Sequence, residues 1–369
     1  CEAIAWLAEQ PWCDGQVGMI GISWGGFNGL QIAALQPPAL KAVITVCSTD
    51  DRYADDIHYM GGCLLLDHLS WASQMFARNT LPPDPRHRGD DWRQQWHERL
   101  QGSGLWLKNW LEHQRRDAFW QHGSVCEDYS RLQVPIFAVG GWADGYCRAV
   151  FRLMENLSVP RLGLIGPWAH KYPHYGNPGP AIGFMQESLR WWDQWLRGRE
   201  TGIMDEPMLR VFMQDQAPPR GGYERRSGRW VAEPSWPSPN VTTASFALTP
   251  SGGLVRGPAS GDDTAQTLRS PLFSGAAAGK WCSYAVPGDQ PVDQRMDDIG
   301  SLVFETEPLT ETIEIVGSAT LNVVVGADRP VAQIAVRLVD VASDGAATRV
   351  SFGVFNLNHH AGHATPEGL

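Results

Sequence analysis

The chain has 369 residues and a formal charge of −10 spread without long runs of one sign, which argues against a nucleic-acid partner. Its length sets an expectation of two or three domains, and 43% apolar residues leave room for a large core. No apolar run approaches the roughly 18 residues that a membrane-spanning helix needs.

The first 50 residues read as helix, strand, turn, helix, strand. An amphipathic segment carries Ala3, Ile4, Trp6 and Leu7. The apolar run 17–22 then leads into Ser23-Trp24-Gly25-Gly26, and a helix-compatible stretch, 27–35, is stopped by Pro37-Pro38. A serine on a sharp strand-to-helix turn, with Gly21 two before it and Gly25 two after, fits the Gly-x-Ser-x-Gly nucleophile elbow. So tight a turn strains the serine backbone and brings its flanking positions too close for side chains, which accounts for Gly21 and Gly25. The first N–H groups of the following helix aim at the place where an oxyanion would form, so the Trp24 backbone N–H is the candidate donor. The next strand, 40–46, runs into Cys47 and on to Asp50 and Asp51. Strands alternating with helices imply a parallel α/β sheet. The chain begins at Cys1 with no strand ahead of the elbow strand, and it stops at Glu367-Gly368-Leu369 just after a β-rich stretch. Both ends are therefore expected to be cut.

Residues 51–131 change character, with many Trp, His, Arg and Asp and few β-branched runs. Helical spacing appears in Trp92, Trp96 and Leu100 and again in Leu107, Trp110, Leu111 and Phe119, with a break at residues 82–85. This reads as a helical cap inserted between two sheet strands, whose tryptophans mostly pack cap against core. The sheet pattern resumes over 132–204. Strand 134–141 is followed by Trp142-Ala143-Asp144-Gly145, and strand 162–166 by Pro167-Trp168-Ala169-His170; helices over 147–157 and 181–196 complete the unit. Residues 1–50 and 132–204 thus form the expected α/β-hydrolase domain. From 205 to 369 the chain turns β. Runs at 209–213, 245–248, 313–316, 319–325, 334–341 and 349–354 are separated by Gly/Pro/Ser/Asp clusters, suggesting an antiparallel sandwich of jelly-roll type.

Three residues sit where such a fold requires them. Ser23 is on the elbow, Asp144 just past one later strand and His170 just past the next, in the Ser…Asp…His order of α/β-hydrolases. A neutral serine is a poor nucleophile, so His170 would take its proton and later pass it to the leaving group; Asp144 would fix the imidazole tautomer. Asp50 or Asp51 could supply the acid instead, and His174 is a rival base. The cap histidines His58, His68, His87, His97, His113 and His122 read as structural or solvent-facing. His359-His360-x-x-His363 invites a metal but follows a β-run and lacks the helical zincin pattern. Seven widely spaced cysteines without a Cys-x-x-Cys pair read as reduced thiols of a cytoplasmic protein, not as disulfides or a zinc site. No metal or organic cofactor is implied.

Together, Trp12 to Met19, the elbow 21–26, Gly141-Trp142-Ala143-Asp144-Gly145, Gly166-Pro167-Trp168-Ala169-His170 and Trp191 to Leu196 resemble the CocE/NonD hydrolases. That family includes cocaine esterase-like enzymes, α-amino-acid ester hydrolases and X-prolyl dipeptidyl aminopeptidases. The resemblance covers essentially the whole chain. It implies a catalytic α/β-hydrolase domain, an inserted helical cap and a C-terminal jelly roll, with Ser23, Asp144 and His170 as nucleophile, acid and base. It also implies a second oxyanion donor, a tyrosine hydroxyl, in an N-terminal part that this sequence lacks. Acidic residues that bind a substrate ammonium in the α-amino-acid ester hydrolases are replaced here by Tyr146 and Cys147. Candidate substrate contacts are Trp142, Trp168, Asp55 and Asp56. The expected substrate is a small-molecule ester, or an amide as for an X-Pro peptidase, without a nucleic-acid or membrane partner; a homo-oligomer is left open. A catalytically inert fragment acting as a binding module is the alternative.

Overall fold

The computed structural model describes residues 1–258 and 264–367; residues 259–263 and the Gly368-Leu369 end, on which the expected C-terminal cut falls, lie outside them. The chain divides into two compact units. Cys1–Ser48, Tyr129–Val323 and Arg337–Phe352 form the first, and Thr49–Asp128, Val324–Val336 and Gly353–Leu369 the second.

The first unit is built on a six-stranded sheet of β1 (Val17–Ile22), β2 (Leu40–Val46), β3 (Ile136–Gly141), β4 (Arg161–Gly166), β5 (Leu209–Gln214) and β6 (Gly228–Glu233), in that spatial order. Strands β1 to β5 run parallel and β6 returns antiparallel. The central strands are apolar along their whole length because helices cover both faces. On one face Ile44, Val46, Phe137, Val139, Leu162 and Leu164 pack with Phe184 and Trp191 of the helix Phe184–Arg197. The helices Trp24–Ala34 and Cys147–Asn156 serve the other face. A Cβ on Gly29 would lie 3.0 Å from Val43, and one on Gly140 3.0 Å from Val150.

The alternating run at 209–213 does not open the jelly roll. It becomes β5, which pairs in parallel with β4 from Gly163↔Leu209 to Ile165↔Val211, so the sheet extends past residue 204. A period-two pattern marks a strand without naming the sheet it joins; here burial of Leu209 and Val211 in the first core decides it. Farther on, Phe246–Leu248 pairs antiparallel with Leu254–Arg256. Gln333–Val341 pairs with Ala347–Asn356 across a turn closed by the Ala342 N–H on the Ala346 carbonyl at 2.9 Å. The runs 313–316 and 319–325, expected as strands, join no ladder among the described residues, and Ile313, Val323 and Val324 are exposed. Their β-branched residues favour extended backbone, but a strand exists only when another chain segment offers its edge.

The second unit is mainly helical, with Asp67–Asn79, Trp92–Gly102 and Trp106–Glu112 as its longer helices. Tyr53, Tyr59, Ala72, Trp110 and Trp120 form its core, so these aromatics pack within the unit. Against them lie His58 and His68, both buried, with Nδ1 atoms 3.3 Å apart. One ring must donate and the other accept, so the pair is held only while it is not doubly protonated. The C-terminal segment joins the same unit. His359 and His363 face each other with Nδ1 atoms 3.0 Å apart, while His360 turns to the Leu357 carbonyl at 3.0 Å and is exposed. The three histidines therefore do not converge on a metal position.

Burial pushes the His68 imidazole down to about 4, and burial followed by the neighbouring His68 holds His58 well below the usual histidine range. Both folded values lie below the unfolded value of about 6.5. Below that pH the unfolded chain takes up protons that the fold excludes, so stability is full above about 6.5 and declines as the pH falls toward 4. Urea midpoints measured from neutral pH down to about pH 5 are expected to drop, with a shallower drop in His68→Gln.

Candidate active site

The elbow forms as its glycines require. Ser23 sits between β1 and the helix Trp24–Ala34 at φ 59°, ψ −124°, a region that non-glycine residues rarely adopt and that costs about 1–3 kcal/mol. Two hydrogen bonds hold it there: the Ser23 N–H donates to the Val46 carbonyl at 2.8 Å, and the Phe27 N–H donates to the Ser23 carbonyl at 2.9 Å. A Cβ on Gly21 would lie 2.2 Å from the Gly25 carbonyl carbon, which no side chain tolerates. The reciprocal expectation for Gly25 does not hold, since a Cβ there meets nothing within 4 Å. The second crowded position is Gly26, whose Cβ would approach the Thr45 hydroxyl at 2.8 Å and the Gly21 carbonyl oxygen at 2.9 Å. Beneath the turn the Thr45 and Ser48 hydroxyls are hydrogen-bonded to each other. Trp24 opens the helix, placing its backbone in the first turn, where N–H groups lack intrahelical acceptors.

Asp144 follows β3 and His170 follows β4. Because these strands are parallel neighbours, both residues leave the sheet at the edge where Ser23 leaves β1. The two loops are stitched by backbone bonds, Trp142 N–H to Gly166 O at 2.9 Å and Ala143 N–H to Trp168 O at 3.1 Å. Their approach is so close that a Cβ on Gly141 would stand 2.0 Å from the Trp168 carbonyl oxygen. The result is a hydrogen bond of 3.1 Å between His170 Nδ1 and Asp144 Oδ1, with the two side chains 7% and 0% exposed.

The rivals have other surroundings. Asp50 and Asp51 belong to the second unit, where the Asp51 carboxylate accepts the Tyr53 N–H at 2.9 Å and faces Arg116 at 3.6 Å. His174 packs on Tyr175 and Phe184, and its buried Nδ1 has no hydrogen-bond partner among the described residues. Of the candidate substrate contacts, Trp168 is a correction: it is buried in the first core, its indole N–H donates to Pro180 O at 2.8 Å, and Gly166 and Gly176 make room for its ring. The Trp142 indole N–H donates to Phe212 O at 2.7 Å, which anchors the loop carrying Asp144 to β5. Asp55 and Asp56 both belong to the second unit; Asp55 is buried and bridges to Met60, while Asp56 lies 4.0 Å from His58.

Motif reading misses two features of the site. One is the loop carrying Trp281, Cys282, Ser283 and Tyr284. The His170 N–H donates to the Ser283 carbonyl at 2.8 Å, Tyr284 meets the imidazole edge-on at 5.2 Å, and Trp281 covers Gly145, whose Cβ would lie 2.6 Å from its ring. Asp289 ties this loop together, accepting the Tyr284 N–H at 2.9 Å and the Val286 N–H at 3.2 Å and pairing with Lys280 at 2.8 Å. The other is sulfur around the acid. The Cys282 thiol donates to Asp144 Oδ1 at 3.5 Å, and Cys47, at the end of β2 with φ 46°, lies beside the same carboxylate. Burial, and then the charge of Asp144, push the Cys47 thiol well above its usual range, so it is neutral. The loop sits in a Gly/Pro-rich stretch, and its hydrogen bond to His170 is made by the backbone carbonyl of Ser283, so its sequence carries no signal.

Residues 1–172 match the X-Pro dipeptidyl-peptidase (S15 family) model, and residues 201–369 match the X-Pro dipeptidyl-peptidase C-terminal non-catalytic domain. The chain is thus similar to X-Pro dipeptidyl-peptidases of the S15 family and to curated serine esterases. It is 25% identical to the cocaine esterase of Rhodococcus sp. across 97% of this chain and 68% of that protein. Among solved structures, an α-amino acid ester hydrolase superposes with a TM-score of 0.65 at 20% identity, covering 99% of this chain and 66% of that one. A CocE/NonD family hydrolase from Staphylococcus aureus gives a TM-score of 0.55 at 21% identity, covering 69% and 40%. These structures share the fold, and the chain spans about two thirds or less of their length. No helix among the described residues is long and apolar enough to cross a membrane.

Two variants separate steric need from motif membership. Gly21→Ala is expected to lower thermal stability by about 1–3 kcal/mol or to block folding, whereas Gly25→Ala is expected to stay folded; thermal melts by circular dichroism compare them.

Proposed function

We propose that this chain is the hydrolytic part of a serine hydrolase that cleaves a carboxylic ester through an acyl-enzyme. The buried Asp144–His170 pair, at 3.1 Å, carries this reading. A carboxylate sequestered from water against one imidazole nitrogen has a use when that imidazole must become charged. In the reaction, Nδ1–H stays on Asp144 and leaves the Nε2 lone pair to take the Ser23 proton. The serine oxygen attacks the substrate carbonyl, and the Trp24 N–H is the proposed donor to the oxyanion that forms. His170 then returns its proton to the departing alcohol, and a water, activated in the same way, releases the acid. The strained backbone at Ser23 supports the nucleophile assignment, since such outliers cluster at functional sites.

The match of both halves to X-Pro dipeptidyl-peptidase models favours a second reading, cleavage of an amide after an X-Pro unit by the same residues. In either case the substrate is a small molecule or short peptide and no cofactor takes part. The segment after β6 would serve as the jelly-roll module and 51–131 as the cap. All seven cysteines are unpaired as disulfides, which supports a reducing, cytoplasmic setting.

A p-nitrophenyl ester is expected to give a burst of p-nitrophenol that Ser23→Ala abolishes, and a fluorophosphonate is expected to label Ser23; a chain that neither bursts nor labels is an inert binding module. Turnover of a simple acyl ester against an X-Pro anilide decides between esterase and peptidase. Asp144→Asn is expected to lower kcat by roughly 10⁴-fold, through loss of the required tautomer, while His174→Ala keeps kcat within about threefold. Steady-state kinetics on the two variants checks both.

A further inference from the structure

The sulfur atoms around Asp144 have a chemistry that the proposed hydrolysis does not use. Donor atoms of Cys47, Asp144 and His170 all lie within 4.8 Å of one another, and all three residues are buried. Cys282 adds a second thiol, 3.5 Å from Asp144 Oδ1, and His170 Nδ1 lies 3.1 Å from the same oxygen. Ligands at about 2.0–2.3 Å from a tetrahedral zinc stand roughly 3.3–3.8 Å apart, so the first three need only small shifts, and Cys282, which stands outside that close group but against Asp144 Oδ1, must swing in as the fourth. The second carboxylate oxygen, Asp144 Oδ2, is buried without a hydrogen-bond partner among the described residues.

We propose that Cys47, Cys282, Asp144 and His170 form a site for a soft divalent cation of the zinc or cadmium class, and that its occupancy switches the hydrolase off. The proposal rests on the triad reading only for its inhibitory consequence. Thiolate and imidazole donors select such cations over magnesium or calcium. Charge also balances. Asp144 alone carries one negative charge; a divalent cation bound by two thiolates and the carboxylate carries the same net charge, so the buried site gains none. Each thiol loses its proton to solvent as a metal–sulfur bond forms.

The inhibition follows from the tautomer. In hydrolysis Nδ1 carries the imidazole proton and donates to Asp144, leaving Nε2 as the base. A metal on Nδ1 needs that lone pair, so the proton moves to Nε2. An Nε2–H imidazole cannot accept the serine proton. The same cation withdraws the carboxylate that would stabilise an imidazolium.

The test uses the whole chain with cadmium and zinc chloride. Cadmium is expected to produce a sulfur-to-cadmium charge-transfer band saturating with one ion in this site, zinc to compete it away, and both to suppress p-nitrophenyl ester hydrolysis reversibly, with recovery on adding EDTA. Cys47→Ser and Cys282→Ser are each expected to weaken cadmium binding roughly tenfold or more and to relieve inhibition in proportion. Cys13→Ser and Cys126→Ser, which leave the cluster intact, are expected to change neither. A band of equal intensity and affinity in the Cys47→Ser/Cys282→Ser double variant overturns the site, as does wild-type protein that shows no band. A band with undiminished hydrolysis overturns the switch. If the chain proves inactive on every ester, the band and its loss in the variants still decide the site. If Cys47→Ser does not fold, Cys282→Ser carries the same comparison.

Discussion

The candidate site depends on one steric constraint, the contact between Gly21 and the backbone of Gly25. A side chain at residue 21 would begin 2.2 Å from the Gly25 carbonyl carbon, so the strand can turn into the helix there only with hydrogen in that place. That turn forces Ser23 to φ 59° and lifts its hydroxyl off the carboxyl end of β1. The strained conformation is retained because β2 receives the Ser23 N–H at Val46 and because Gly26 lets the helix settle against Thr45. The parallel sheet does the rest. Neighbouring parallel strands end at one edge, so residues that follow β1, β3 and β4 leave the fold on the same side although they are far apart in the chain.

The surroundings of the acid are chemically distinctive. Many buried carboxylates are quieted by backbone N–H donors that hold them strongly in the charged form. Asp144 has one imidazole nitrogen at 3.1 Å, the weak thiol donor of Cys282 at 3.5 Å, and a second oxygen without a hydrogen bond among the described residues. The Cys47 thiol also stands against this carboxylate, so its neighbours are one imidazole and two thiols in a buried setting.

His170 is also held from outside the parallel sheet. The loop from Lys280 to Asp289 reaches His170 from beyond β6, and its Ser283 carbonyl fixes the His170 backbone. Asp289 keeps the loop in shape through two backbone N–H groups and Lys280. Its hydrogen bonds hold the carboxyl below the usual range although burial opposes this, so the clamp weakens in acid. The C-terminal half thereby contributes to the placement of His170 through backbone and packing.

Local sequence determined those features whose cause is local. The elbow was legible because a strand, a Gly-flanked serine and a helix within 20 residues leave the backbone few alternatives, and Asp144 and His170 were legible because each follows an apolar run of strand length. Helical spacing of tryptophans marked 51–131, where helices formed. Tertiary structure alone decided whatever depends on which segment meets which. The run 209–213 joined the parallel sheet, 313–325 stayed unpaired among the described residues, and Trp168 went into the core. Cys47 and Cys282, 235 residues apart, came to the same carboxylate although neither has a motif around it. Period and propensity report how a backbone bends, but a strand's partner and a side chain's neighbours are set by contacts distant in sequence, where no short pattern records them.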